Sequence, residues 1–200
     1  MNTTNKPSPN KGTIRMYTLS KDDYTVKVTP CEDPINPRQE YDHMDVMVCW
    51  HKRYTLGDEQ PKVNPDQYVI PDGALVVPLY MLDHSGLSVS SKPFSCPWDS
   101  GQIGFSYCTL EMANRHMGTS SSSFDDDYEG KPFRESCLEY IESGIKEYDS
   151  YITGDVYDIT LKDEYGDVID SLHSVFGYEC AKEEASSMIE EAIKSHKEPI

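Results

Sequence analysis

The order of its segments is the feature that most constrains how this sequence can fold, because strand-like segments come early and the long helical patterns come late. Five early segments have the alternating or continuous apolar pattern of β-strands, namely residues 13–19, 24–29, 44–51, 75–82 and 103–108. Apolar side chains then recur at helical spacing over residues 131–151 and again over residues 180–195. Segregation of strands and helices along a chain favours the α+β class over alternating βαβ units.

A third helix and a late hairpin complete the predicted set of elements. Thr109 is a suitable N-cap and Gly118 a suitable C-cap, so a short helix is expected between them. A hairpin with Gly166 in its turn is expected to join two strands, at residues 156–161 and 168–175. The sequence therefore predicts a single α+β domain with a largely antiparallel sheet and about three helices.

The predicted domain leaves a polar N-terminal segment outside it. Residues 1–12 are expected to form a disordered tail, and residues 13–200 one domain with a mobile Ser/Asp-rich loop at residues 119–130. No apolar run approaches the ~20 residues of a membrane span, and the first residues lack the apolar core of a signal peptide. We therefore expect a cytoplasmic protein, in which the six cysteines, none in a C-x-x-C pair, are free thiols.

The chain is strongly acidic, with a formal net charge of −17. Along the sequence the excess is uneven: residues 1–120 carry a net charge of −3 and residues 121–200 one of −14. Binding to nucleic acid or to an anionic membrane needs clustered Lys and Arg, so this charge argues against both. A basic protein partner fits the charge, and so does the simpler explanation that the acidic groups only keep the protein soluble.

The first candidate site is a thiol nucleophile in the turn-rich segment of residues 94–105. Cys96 is the candidate nucleophile and His84, in an earlier turn, the candidate base. Asp83 or Asp99 would orient the histidine ring. The alternative is structural, with Cys96 and Trp98 filling the core while Asp99 binds loop amides.

Two further kinds of site have weaker sequence support. Cys49 and His51 lie two residues apart on a predicted strand and so face the same side, where Cys96 or Asp83 would be the third ligand of a zinc ion. The glycines of residues 101–104 suggest a phosphate loop, but a strand and not a helix follows them. The sequence therefore predicts no metal and no cofactor.

Four segments of the chain resemble an uncharacterised family of small proteins that bacteriophages and other mobile elements encode. The resemblance rests on sequence motifs such as DHSG and CPWDSGQIGF, at residues 47–58, 79–86, 94–105 and 148–157. It implies a phage or mobile-element origin. It attaches no activity to any residue, because none is assigned to the family.

These observations together lead to one main hypothesis. The chain is expected to be an accessory protein that binds a host protein in the host cytoplasm, without direct contact to nucleic acid or membrane. The partner would be a nucleic-acid-binding effector, such as a restriction or CRISPR protein, that is blocked by mimicry of nucleic-acid charge. The residues expected to make the contact are carboxylates: Asp125, Asp126, Asp127, Glu135, Glu139, Glu142, Glu183, Glu184, Glu190 and Glu191.

Two rival hypotheses stay open at this point. One is a small hydrolase or transferase that uses Cys96, His84, Asp83 and Asp99 as its site. The other is a structural or regulatory module whose turn-rich segments only support the fold. The sequence gives neither the partner nor the oligomeric state.

Overall fold

A computed structural model describes residues 15–197 of the chain. The predicted tail at residues 1–12 lies outside the described residues. The strands are β1 (Tyr17–Lys21), β2 (Tyr24–Pro30), β3 (Val46–Cys49), β4 (Leu75–Asp83), β5 (Leu87–Ser90), β6 (Ser100–Cys108), β7 (Asp127–Tyr128), β8 (Lys131–Pro132), β9 (Val156–Lys162) and β10 (Val168–Phe176). The helices are α1 (Pro37–Glu40), α2 (Leu110–Met117), α3 (Phe133–Thr153) and α4 (Tyr178–Lys197).

The elements confirm the α+β class and the largely antiparallel pairing. The chain divides into two compact units, which we call the first unit (residues 36–152) and the second unit (residues 15–35 and 153–197). Each unit contains a four-stranded sheet in which all neighbouring strands are antiparallel. The predicted boundaries of one domain at residues 13–200 stay a prediction. None of the helices in the described part of the chain is long and apolar enough to cross a membrane.

The second unit is a sheet with one helix packed on it. Its strand order is β1-β2-β9-β10, and alternation along β2 and β9 places Val26, Val28, Ile159 and Leu161 on one face. These four side chains are buried, together with Ala181, Ala185, Met188, Ile189 and Ile193 of α4. The opposite face of the sheet therefore carries the intervening polar residues.

The first unit has the strand order β3-β6-β4-β5. The predicted apolar stripe of the long helix is confirmed, because α3 contributes its buried residues to the same core as this sheet: Phe133, Cys137, Ile141, Ile145, Tyr148 and Ile152. The short helix α2 begins after Thr109, whose side chain accepts from the Met112 amide, and ends at Gly118 in the left-handed conformation. Both caps are as predicted.

A close backbone approach fixes the pairing of β3 with β6. A Cβ atom at Gly104 would lie 1.9 Å from the Val48 carbonyl oxygen, so only glycine fits there. The neighbouring strand β4 contains Pro78, which lies where β5 does not reach, since β5 pairs only with Tyr80–Asp83. Pro78 thus has the edge position that its missing N–H requires.

Several element boundaries differ from the sequence-based expectation: β1 is Tyr17–Lys21 instead of residues 13–19, and β3 is Val46–Cys49 instead of residues 44–51. The helix predicted from residue 131 begins at Phe133, because Lys131 and Pro132 form β8 and pair with β7. Within the predicted mobile loop, Phe124 is buried and stacks on Phe133 at 6.1 Å, and Asp126 accepts hydrogen bonds from the Ser122 and Ser123 amides. The loop is thereby tied to the core, and its mobility stays a prediction.

The segment after β3 folds back onto that strand. The Asp58 amide donates to the Met47 carbonyl at 2.8 Å, and the Met47 amide donates to the Asp58 carboxylate at 2.8 Å. The buried Arg38 guanidinium also binds this carboxylate, with Nε 3.0 Å from Oδ1. Residues 50–57 are thus held as a loop at the end of β3.

Candidate functional site

Three separate stretches of sequence meet at one open cleft of the first unit, which we call the Trp98 cleft. It has a volume of about 350 Å³. Its lining consists of His51, Arg53, Met81, Asp83, Trp98, Asp99, Ser100, Gly101 and Ile103. All nine residues belong to the segments 47–58, 79–86 and 94–105, which the sequence resemblance singles out.

The strand order explains why these three segments meet. β6 lies between β3 and β4 and is antiparallel to both. The ends of β3 and β4 therefore lie beside the start of β6 at one edge of the sheet. The turns that follow β3 and β4 and the turn that precedes β6 then share that edge.

The cleft combines an apolar floor with an exposed aromatic rim. Met81 and Ile103 form the floor and are buried. Trp98 at the rim is 91% exposed, which contradicts the alternative in which this ring fills the core. Gly101 has open space where a side chain would begin, so its backbone is accessible from the cleft. A single exposed apolar ring is common on protein surfaces, so Trp98 is a candidate binding group because it borders a cleft with an apolar floor.

The charged groups of the cleft are partly paired with each other. The Arg53 guanidinium forms an ion pair with the Asp83 carboxylate. The same guanidinium lies 5.4 Å from the centre of the Tyr54 ring, within the range of a cation–π contact. Asp83 thus pairs with Arg53, and of the two carboxylates that the sequence analysis offered for orienting His84, Asp99 is the one in contact with it.

The orientation of His51 is fixed by its neighbours, and its environment disfavours the protonated ring. Its ring stacks on Tyr54 with a centroid distance of 5.0 Å, and its Nδ1 accepts from the Tyr54 amide at 3.2 Å. The pKa of His51 is lowered, first by burial of the ring and then by the positive charge of Arg53. Because Nδ1 is an acceptor, the proton lies on Nε2, which can donate to a bound group.

The residues predicted as a nucleophilic site come together in a different order from the one that nucleophilic catalysis needs. His84 Nδ1 lies 2.9 Å from Asp99 Oδ2, and Cys96 Sγ lies 3.7 Å from the same oxygen. The carboxylate is therefore the central group, and the thiol contacts the carboxylate instead of the imidazole. His84 is exposed, and neither His84 nor Cys96 lines the Trp98 cleft.

The two weaker candidate ligand sites of this region, for zinc and for phosphate, have no support in the structure. Cys49 is buried in the core, where burial raises the pKa of its thiol to about 12. His51 follows the end of β3 and turns its Nδ1 to the local backbone, so the structure does not support the candidate zinc pair with Cys49. Residues 101–104 belong to β6, which agrees with the strand that set the phosphate loop aside.

The predicted acidic residues are on the surface of both units. Nine of the ten are exposed and Asp126 is half-buried. Three of them form ion pairs: Asp125 with Arg134, Glu139 with Lys131 and Glu190 with Lys21. Asp126 has a lowered pKa because Ser122 and Ser123 donate to it, which indicates a structural role in its own loop.

The fold distributes the negative charge more evenly than the sequence does. Residues 36–152 hold 9 basic and 19 acidic side chains, a net charge of −10. Residues 15–35 and 153–197 together hold 7 basic and 15 acidic side chains, a net charge of −8. Each unit is therefore acidic by itself.

One cluster of potential metal ligands was missed by the sequence analysis. Cys31, Asp158 and His173 place a sulfur, a carboxylate oxygen and a ring nitrogen within 4.8 Å of one another in the second unit. Cys31 and His173 are 142 residues apart in sequence, so no motif links them.

Comparison of the chain with protein-family models, curated proteins and solved structures finds no match.

Proposed function

We propose that the protein is a phage or mobile-element accessory protein that binds a basic host protein, and that the Trp98 cleft anchors the partner. The observation that carries this proposal is the cleft itself. All of its lining residues come from three of the segments that resemble the phage family, and Trp98 at its rim is 91% exposed. Buried aromatic anchors surrounded by polar groups dominate the energetics of protein interfaces.

The chemistry of the cleft fits a basic side chain of the partner. A Lys or Arg that enters it can place its charged end near the Asp99 carboxylate and against the face of Trp98. Its aliphatic stem can cover the apolar floor of Met81 and Ile103. His51 Nε2 is then a donor for a backbone carbonyl of the partner.

The acidic surface supports the same kind of partner. Both units carry a large negative charge, which attracts a basic protein over several ångströms and speeds its association. A nucleic-acid-binding effector of the host is a basic protein of this kind, because its cleft holds the phosphates of the nucleic acid. Exposed carboxylates of the present protein would occupy the positions of those phosphates, which is the mimicry that the sequence analysis anticipates.

Partner binding is tested most directly by Trp98→Ala. Partners are first captured from host lysate, and the affinity of one purified partner is then measured by calorimetry. Loss of the anchor should weaken binding by at least about 2 kcal/mol, roughly 30-fold. Tyr165→Ala is the matched control, because this ring is also largely exposed, at 81%, but lies in the hairpin of the second unit.

The electrostatic part of the proposal needs a separate variant. Reversal of Glu183, Glu184 and Glu191 to Lys should slow association and flatten its dependence on salt. The proposal is wrong if the affinity survives Trp98→Ala, charge reversal and high salt alike.

A second function, that of a small hydrolase, is favoured by one observation. His84 Nδ1 is held by the Asp99 carboxylate at 2.9 Å, which leaves Nε2 of an exposed ring available as a general base. Hydrolysis of a panel of activated esters tests it. Activity that disappears in His84→Gln but persists in Cys96→Ser would support a histidine base; activity absent from the wild-type protein would exclude these ester substrates.

A further inference from the structure

The cluster of Cys31, Asp158 and His173 lies on three adjacent strands of the second unit. Cys31 directly follows β2, Asp158 lies on β9 opposite Thr29, and His173 lies on β10. Residue alternation along β9 places Asp158 on the face opposite to the one that α4 covers. The three side chains thus share one face of a hydrogen-bonded sheet, a rigid platform for a functional site.

Backbone contacts hold each member of the cluster in place. The Cys31 amide donates to the Val156 carbonyl at 2.9 Å, which pins the end of β2 to the start of β9. In β10 the pairing with β9 is irregular between Leu172 and Val175. This irregularity brings the consecutive residues His173 and Ser174 to the same side, as β-bulges near functional sites often do.

Ser174 supports the cluster from behind. It is buried and has a left-handed backbone with φ of +57°, a strained conformation for a residue with a side chain. Its amide donates to Asp158 Oδ1 at 3.1 Å, and its hydroxyl accepts from the Ile35 amide at 3.1 Å. Such hydrogen bonds from a second layer of residues commonly orient metal ligands.

We propose that Cys31, Asp158 and His173 form a binding site for a zinc-type divalent cation. Sulfur, imidazole nitrogen and carboxylate oxygen are the three ligand types that zinc prefers. Tetrahedral zinc separates a sulfur from a nitrogen ligand by about 3.6 Å and a nitrogen from an oxygen ligand by about 3.3 Å. The observed separations are 3.8 Å from Cys31 Sγ to His173 Nδ1 and 2.8 Å from His173 Nδ1 to Asp158 Oδ1. The nitrogen–oxygen separation is thus about half an ångström below the zinc value, and the sulfur and the carboxylate oxygen lie within 4.8 Å of each other.

The cation site has an entry path and room for a fourth ligand. It opens on a cleft of about 610 Å³, which Glu32 and Asp33 also line. A water molecule or one of these carboxylates can complete four-coordination. Three protein ligands with an open fourth position are typical of catalytic zinc sites, whereas structural zinc sites are closed by four protein ligands.

A thiol activated by His173 is the alternative to a metal ligand at this position. Cys31 Sγ is almost equally distant from the two ring nitrogens of His173, at 3.8 Å and 3.9 Å. Alkylation of Cys31 with and without Zn²⁺ distinguishes this alternative from a cation site. The cation site is independent of the proposed partner binding, because the Trp98 cleft contributes no residue to it.

The experiment is a titration of the full chain, without an affinity tag, with Co²⁺ followed by competition with Zn²⁺. Co²⁺ bound to a thiolate gives a sulfur-to-cobalt absorption band in the near ultraviolet, so the band identifies the ligand. We expect one ion per chain, displaced by Zn²⁺. Cys31→Ser should abolish the band, and His173→Gln should weaken binding more than about 100-fold, beyond the loss of a supporting residue. Cys180→Ser is the control, since this exposed thiol lies outside the cluster.

Asp158→Asn keeps the proposal testable if another variant fails to fold. Asparagine retains an acceptor for the Ser174 amide but is a weaker ligand, so the band should persist with lower affinity. The proposal is overturned if the wild-type protein gives no thiolate band, or if the band is unchanged in Cys31→Ser. Rapid alkylation of Cys31 that excess Zn²⁺ does not slow would overturn it as well, in favour of a reactive thiol.

Discussion

The molecule contains two groups built from one cysteine, one histidine and one aspartate, and they differ in the order of their contacts. In the first unit Asp99 is central, with Cys96 Sγ at 3.7 Å and His84 Nδ1 at 2.9 Å from one of its oxygens. In the second unit His173 is central, because its Nδ1 lies 2.8 Å from Asp158 and 3.8 Å from Cys31 Sγ.

The comparison shows that residue type alone does not decide chemistry. In the first unit both the thiol and the imidazole contact the central carboxylate, so the imidazole nitrogen nearest the thiol's partner is already engaged by Asp99. The group in the second unit instead brings three different donor atoms within 4.8 Å of one another, as a metal requires. The two groups also differ in support: Asp99 and His84 lie on turns beside the sheet, whereas Asp158 and His173 lie on paired strands.

The largest loss of stability is expected in the sheet of the first unit, which supports the turns that carry Cys96, His84 and Asp99. Gly104→Ala would place a Cβ 1.9 Å from the Val48 carbonyl oxygen, a backbone atom that cannot move without separating β3 from β6. We expect a loss of about 3 kcal/mol or more in the free energy of unfolding. Both tryptophans, Trp50 and Trp98, lie in the first unit, so urea unfolding followed by tryptophan fluorescence reports on this unit.

Gly101→Ala is the matched control for this substitution. It lies on the same strand, but among residues 15–197, apart from its two chain neighbours, no atom lies within 4 Å of its would-be Cβ. Its free energy of unfolding should change by less than about 0.5 kcal/mol, while the added methyl group in the Trp98 cleft weakens partner binding. Equal destabilisation by the two substitutions would contradict the close approach at Gly104.

An intermediate loss of stability is expected for substitution of Asp158, and a smaller one for substitution of Asp99. Asp158→Ala removes the acceptor of the buried Ser174 amide and of His173. Loss of such charge-assisted hydrogen bonds costs about 2–3 kcal/mol in the free energy of unfolding. Asp99→Ala should cost less than about 1 kcal/mol, because its histidine partner is largely exposed.

Circular dichroism during urea unfolding, with a chelator present, measures both aspartate variants. Asp158→Asn separates the hydrogen bond from the charge, since its carbonyl oxygen still accepts from the Ser174 amide. The free energy of unfolding of Asp158→Asn should therefore lie between that of the wild type and that of Asp158→Ala. If Asp99→Ala proved the more damaging change, the sheet-supported cluster would not be the more rigid one.

The sequence predicted the elements of the fold well because local chemistry determines them. Thr109 and Gly118 cap α2, Gly166 has a positive φ in the late hairpin, and Gly104 lies on a central strand. Apolar periodicity placed the buried stripe of α3, and alternation placed the buried face of β2. Each of these features depends on neighbours within a few residues along the chain.

The sites were predicted less well because they depend on pairing between distant strands. Cys96, His84 and Asp99 were expected to meet, and they do, since β4 and β6 are neighbours. The order of their contacts depends on side-chain directions that spacing does not encode. The cluster of Cys31 and His173 needed both the β2–β9–β10 pairing and an irregular residue pair in β10, neither of which has a sequence signal.

The smallest effect is a pH dependence of stability that arises from His51, the one histidine that lines the Trp98 cleft. Its measurement tests whether the folded protein disfavours the protonated ring. The pKa of His51 is lowered from its ordinary value of 6.5 by burial and by Arg53, so the unfolded chain binds the proton more readily. As the pH falls below about 6.5, the free energy of unfolding should therefore fall, and it should level off below the pKa of the folded state. His51→Asn keeps an acceptor for the Tyr54 amide but cannot titrate, so the difference between its urea stability and that of the wild type, measured from pH 5 to pH 8, isolates this one group. Parallel curves over that range would mean that the ring is as accessible to protons in the folded protein as in the unfolded chain, and the neutral donor at the cleft would be lost.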